Sequence, residues 1–243
     1  MQAKDFEYTY DVKKEKVVGN EGLKAYTRKV FNYMMASLGL TAVISYLILR
    51  TGLINLFLRV TENGVGYTGL GTLVAWSPLF IIMYMSFSRT IGAKGSKIGL
   101  FTIAGLEGAS ISLLVLYAGI HNAFQAFFLT AILFGSMSLY GYMTDKDLLG
   151  MGSFLIMAVW GLFLVSIFSI FFGGVGIWFS YAVVLIFTAL VAYETQQIKY
   201  IYSNVGGYGE TSDKLAVFCA LNLYLSFLNI FTALLNIMGN NRD

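Results

Sequence analysis

From Gly108 to Thr144, and again from Leu148 to Tyr193, the chain contains no Asp, Glu, Lys or Arg. A helix in water needs a polar face, so runs this long fold only where the surroundings are themselves apolar and every backbone N–H and C=O is bonded internally. One bilayer crossing takes about 20 residues, at about 1.5 Å of rise per residue through a core about 30 Å thick. Each run therefore holds two crossings. Gly119, Ile120, His121 and Asn122 divide the first, and Gly173, Gly174 and Gly176 divide the second.

Composition extends this to the whole chain. Of 243 residues, 57% are hydrophobic and 12% charged, where a soluble domain carries about a quarter charged. The high apolar content and net charge of only +3 exclude disorder. Cys219 has no second Cys to pair with, and with His121 the only histidine no ordinary Cys/His zinc site can form. Residues 1–29 mix both charge signs and lack an apolar core, which reads as a retained polar tail rather than a secretory leader.

The pattern predicts an all-α membrane protein whose partner is the lipid bilayer. Its seven spans lie near Val30–Leu49, Gly71–Phe87, Ile98–Ala118, Ala123–Met143, 150–172, 177–200 and Leu215–Met238. Residues 1–29 form a polar tail, 30–238 a single transmembrane domain and 239–243 a short C-terminal tail. Lys and Arg collect on cytoplasmic flanks. With seven alternating spans, thirteen of them fall on the side of the N-terminus: seven in residues 1–29, then Arg89, Lys94, Lys97, Lys146, Lys199 and Lys214. Only Arg50, Arg59 and Arg242 fall on the other. The expected topology has the N-terminus in the cytoplasm and the C-terminus outside. Basic residues spread over loops in this way do not suggest nucleic-acid binding.

A carboxylate at the bilayer centre costs about 2.5–3.5 kcal/mol on insertion scales, so each one calls for an explanation. Glu107 lies roughly 15 Å beyond Lys97 along the third span, and Glu194 roughly 7.5 Å before Lys199 in the sixth. Neither has a Lys or Arg at its depth. Glu194 reads as an ion or proton site, or alternatively as a structural acid near the interface. Glu107, among Gly105, Gly108, Ser110 and Ser112, reads more as part of a close helix contact. In the seventh span Cys219, Asn222, Ser226, Asn229, Ala233 and Asn236 recur at steps of three and four, which puts them on one helix face. Unpaired amides do not face lipid, so this seam is expected to face protein or water, as packing glue, as the lining of a polar route, or as both. Pro78 is expected to bend the second span. No G-x-S-x-G, H-E-x-x-H or phosphate-binding glycine loop occurs, and no span carries an Asp pair, so no catalytic role and no cofactor is expected.

Five motifs resemble those of the Bax inhibitor-1 family in its bacterial branch, over nearly the whole chain. They are Gly22-Leu23-Lys24-Ala25-Tyr26 running into Val30–Met34, Ser138-Leu139-Tyr140-Gly141-Tyr142, Gly150-Met151-Gly152-Ser153-Phe154, Ala192-Tyr193-Glu194-Thr195-Gln196, and Ala220 to Asn229. The resemblance implies seven helices with the last enclosed by the other six, and a calcium leak gated by pH through two Asp residues that share a proton. Here the first of those positions is Glu194 and the second is Ser226. A carboxylate and a hydroxyl can hydrogen-bond but lack the mutual repulsion of two carboxylates. The expected function is a calcium or cation leak in a bacterial inner membrane. Its pathway residues are Glu194, Ser226, Asn222, Asn229 and Glu107, with Glu194 as the calcium contact and weakened pH gating. The alternative is a non-conducting regulator that binds other membrane proteins, such as a quality-control protease, through the polar tail and Asp145, Lys146 and Asp147.

Overall fold

A computed structural model describes residues 3–61, 64–88, 90–172 and 174–240. Arg89, Gly173 and Arg242, named above, lie outside the described residues, as do the outermost residues of both tails. Seven long helices follow one another: α1 (Ala3–Thr51), α2 (Gly69–Phe87), α3 (Ala93–Ala118), α4 (Ile120–Met143), α5 (Gly152–Phe172), α6 (Ile177–Val205) and α7 (Glu210–Asn240). Each is long and apolar enough to cross a membrane.

The two long uncharged runs divide where glycine allows. Gly119, at φ 87°, separates α3 from α4, and Gly174, at φ 103°, stands between α5 and α6. That left-handed region is open to glycine at little cost. The helix that carries the first span is longer than the span itself: α1 continues back from Val30 through the polar residues to Ala3. Nothing in that stretch breaks a helix as proline does, and its Lys and Glu are good helix formers.

Pro78 sits inside α2, which continues past it as one element. The ring removes the N–H that would serve the Val74 carbonyl, and the Ser77 hydroxyl donates to that carbonyl at 2.8 Å instead.

Between α1 and α2 lies a feature absent from the expectation. A short 3-10 turn, Leu53–Leu56, leads into β1 (Leu58–Thr61), which pairs antiparallel with β2 (Gly64–Tyr67) in the register Leu58 to Tyr67 and Val60 to Val65. The sequence signal was there: the Asn63-Gly64 pair between two short runs is a strong hairpin cue.

The last helix is the most buried of the seven, and its packing falls mainly on four of the others. α7 packs against α1, α3, α4 and α6, while α2 packs chiefly on α3 and α5 on α6. Burial explains the difference: 67% of the α7 apolar window is buried, against 17% for α2 and 11% for α5. The two outer helices are apolar all round and present Leu73, Phe87, Phe154 and Met157 outward, which suits a face turned to lipid. At the end where the α1 span begins, Lys29 pairs with Asp213 and the Tyr26 hydroxyl donates to the Ser212 carbonyl at 3.5 Å. These contacts tie α1 to the start of α7.

Candidate functional site

The segment Ala192 to Gln196 shows how α6 is fixed, because every residue in it has a distinct partner. Ala192 faces Gly141 of α4 so closely that a Cβ built on Gly141 would stand 2.8 Å from the Ala192 carbonyl carbon. The Tyr193 ring lies against Gly152 of α5, where a Cβ would meet Cε2 at 2.6 Å. The Thr195 hydroxyl bonds the Ser138 hydroxyl of α4 at 3.2 Å and the Val191 carbonyl at 2.8 Å. The Gln196 amide ties down the α4–α5 loop from both ends, its oxygen accepting from Leu148 N–H and its nitrogen donating to the Lys146 carbonyl, each at 2.8 Å. One turn on, Lys199 donates to the Tyr142 carbonyl at 2.6 Å and sits over the Tyr142 ring. Two neighbouring motifs, Ser138–Tyr142 and Gly150–Phe154, thus meet a third some 40 residues further on, Ala192–Gln196, around one stretch of α6.

Glu194 is the member of that segment that turns to α7. It is 8% exposed, and its Oε2 accepts a 2.8 Å hydrogen bond from the hydroxyl of Ser226, itself 1% exposed. The carboxylate has no ionic partner: among the described residues the only ion pair is Lys29 with Asp213, and the nearby Lys199 is engaged with Tyr142. Beside Glu194 lies a cavity of about 240 Å³ between α5, α6 and α7. Its walls are Ile156, Val159 and Trp160 on one side, and Leu190, Tyr193, Glu194, Gln197 and Asn222 on the others. Leu190, Tyr193, Glu194 and Gln197 follow the spacing of a single helix face, so Gln197 and Tyr193 could have been read from the sequence as neighbours of the acid.

The structure brings together Glu194, Ser226 and Asn222 but not the other two expected pathway residues. The Asn229 amide folds back onto its own helix, donating to the Leu225 carbonyl at 2.8 Å. Glu107 lies on the α3 face that carries Leu100, Ile103, Ala104 and Ile111, all buried. Nearby, the Thr41 hydroxyl joins the Ala104 carbonyl at 2.9 Å to the Tyr224 hydroxyl at 2.8 Å. Tyr224 and Ser226 are two positions apart, about 200° around the helix, so α7 stands between Glu107 and Glu194. Gly108 of the same turn faces α1, where a Cβ would come within 3.0 Å of Ile44 Cβ.

The seam on α7 is likewise not one continuous inward edge. Cys219, Ser226 and Ala233 are buried, whereas Asn222 and Asn236 are exposed and Asn229 is half-buried. The burial of α7 comes largely from apolar side chains, among them Leu221, Leu223, Ile230 and Leu235. Asn222 is exposed because it borders the cavity.

No group of three or more His, Cys, Asp or Glu occurs among the described residues. A cation beside Glu194 would therefore have one carboxylate, the Ser226 hydroxyl and the amides of Asn222 and Gln197 as its protein oxygens. That set is sparse for calcium, which takes six to eight oxygens, and leaves most of the shell to water.

The sequence matches the protein family described as inhibitor of apoptosis-promoting Bax1 over residues 23–243. It is 36% identical to an uncharacterized protein of Rickettsia prowazekii across 92% of this chain and 93% of that one. It is 32% identical to the inner membrane protein YbhL of Escherichia coli across 91% and 94%. An uncharacterized membrane protein of Streptococcus pyogenes is 30% identical across 90% and 94%.

Proposed function

Because this chain belongs to the Bax inhibitor-1 family of membrane proteins, we propose that it passes calcium, or a cation of similar chemistry, down its gradient along a path that includes the cavity beside Glu194. The observation that carries the reading is a carboxylate without an ionic partner, buried next to a cavity bordered by neutral amides. A conduction site must attract its ion enough to admit it and hold it weakly enough to release it. A single carboxylate with a hydroxyl and two amides meets both conditions. A complete oxygen cage would trap the ion.

Ser226 occupies the position where the family's second Asp stands. It donates to Glu194 and cannot share a proton with it as a second acid would, so the flux varies with pH less steeply than a two-acid gate allows. The protein resides in a bacterial inner membrane with its N-terminus in the cytoplasm, as the Lys and Arg distribution favours. It carries out no catalysis.

The test is direct. Reconstituted into liposomes with calcium on one side, the full chain should leak calcium above the rate of empty vesicles. No excess leak, together with a membrane protein recovered in pull-downs and lost on deleting residues 1–25, would replace this reading with that of a non-conducting regulator.

A further inference from the structure

A second cavity, larger and on another side of α7, lies among α1, α3, α4 and α7. It measures about 330 Å³ and is walled by aliphatic and aromatic side chains, with only the hydroxyls of Thr41, Ser45 and Tyr46 among them. Thr41 is already engaged with Ala104 and Tyr224, so the floor offers no free polar partner there. Along α1 the groove extends from Leu38 to Leu49, about 16 Å at 1.5 Å per residue. That is roughly half of a core about 30 Å thick, the depth of one leaflet. A docked transmembrane helix would contact the bundle through both leaflets. A lipid tail reaches through one.

The groove is open to the side, since its rim residues Tyr46 and Phe124 are 55% and 62% exposed. At its shallow end stands a cation. The Arg50 guanidinium reaches back one turn to Tyr46, its Nε donating to the tyrosine hydroxyl at 3.1 Å and its centre lying 5.8 Å from the ring centroid. Arg50 forms no ion pair with a carboxylate among the described residues. An Arg held at headgroup level above an apolar slot of leaflet depth presents a forked donor for phosphate and a sheath for a chain.

The geometry points to a binding site for one anionic phospholipid, with an acyl chain in the groove between α1 and α4 and the phosphate on Arg50. The lipid is drawn from the leaflet at the end of α1 where Arg50 stands. This site lies apart from Glu194, so its fate does not depend on the proposed ion path.

The full chain, delipidated in a non-ionic detergent, is titrated with dioctanoyl phosphatidylglycerol, dioctanoyl phosphatidylcholine and glycerol phosphate, and bound molecules are counted by native mass spectrometry. One phosphatidylglycerol should bind roughly tenfold more tightly than phosphatidylcholine, the scale of one charge-assisted contact. Glycerol phosphate, which has no chain, should not bind measurably. Arg50→Gln should remove the preference and Arg50→Lys should keep part of it. Both substitutions are at an exposed position, so an unchanged melting temperature verifies folding. Ala123→Trp, which fills the groove, should abolish the tight site for both lipids. Equal affinity for the two lipids, a preference that survives Arg50→Gln, or a second copy of the chain seated in the groove would overturn the assignment.

Discussion

Glu194 and Glu107 are both acids set in apolar helices with no lysine or arginine paired to them among the described residues, yet their surroundings differ in kind. Glu194 belongs to a segment of α6 in which each neighbour is fixed to another helix, and it has a hydroxyl donor and a cavity beside it. Glu107 lies where α3 closes on α1 and α7, next to glycines that let backbones approach, and α7 separates it from the cavity. They differ in burial only by degree, Glu194 being buried and Glu107 half-buried. What distinguishes them is whether the packing leaves room for water and an ion next to the charge, and whether rigid neighbours hold the charge there.

The comparison breaks most readily at the scaffold. Gly141→Leu should have the largest effect, because any side chain there collides with the Ala192 backbone; a loss of at least about 3 kcal/mol, or failure to purify as a folded monodisperse protein, is expected. Gly135→Ala, where a Cβ meets nothing within 4 Å, should leave the melting temperature unchanged or slightly raised. Equal melting curves for the two variants would remove the claim that α4 clamps α6. Gln196→Ala releases the α4–α5 loop at Leu148 and Lys146, and should cost about 1–2 kcal/mol by thermal melting.

Ser226→Asp restores two facing acids and should steepen the dependence of calcium flux on pH, read as the slope of leak rate across a pH series. An unchanged slope would end the account of weakened gating. The smallest effect belongs to the other carboxylate: Glu107→Gln should change calcium flux by less than about twofold, since it lies across α7 from the cavity. A loss comparable to that at the α6 carboxylate would place Glu107 on the path and undo the contrast.

Much of the fold was legible because two signals are coarse and strong. Runs without charge fix the number of crossings, and glycines in those runs fix where the chain turns, as Gly119 and Gly174 do. The hydrogen bond between Ser226 and Glu194 was also foreseeable, since the two occupy positions that the motifs pair. The seam on α7 is less legible. Steps of three and four place Asn222, Asn229 and Asn236 on one helix face, but that geometry does not say what the face meets. Asn229 answers its own carbonyl instead of a neighbouring helix, and an amide within reach of its own backbone can always do so. Glu107 and Glu194 look alike in the sequence because depth along a helix is readable there and azimuth around a neighbouring helix is not. The roles of Thr195 and Gln196 depend on partners some 50 residues away, and no local pattern carries that information.

Calcium flux through liposomes holding either the wild-type chain or Glu194→Gln, at equal protein content and fixed pH, tests the central claim most directly. Losing a charged ligand should lower the leak by about tenfold, with the variant still folded, since the amide can accept the Ser226 hydroxyl as the acid does. Equal leak from the two proteins would contradict the claim that cations pass by this carboxylate.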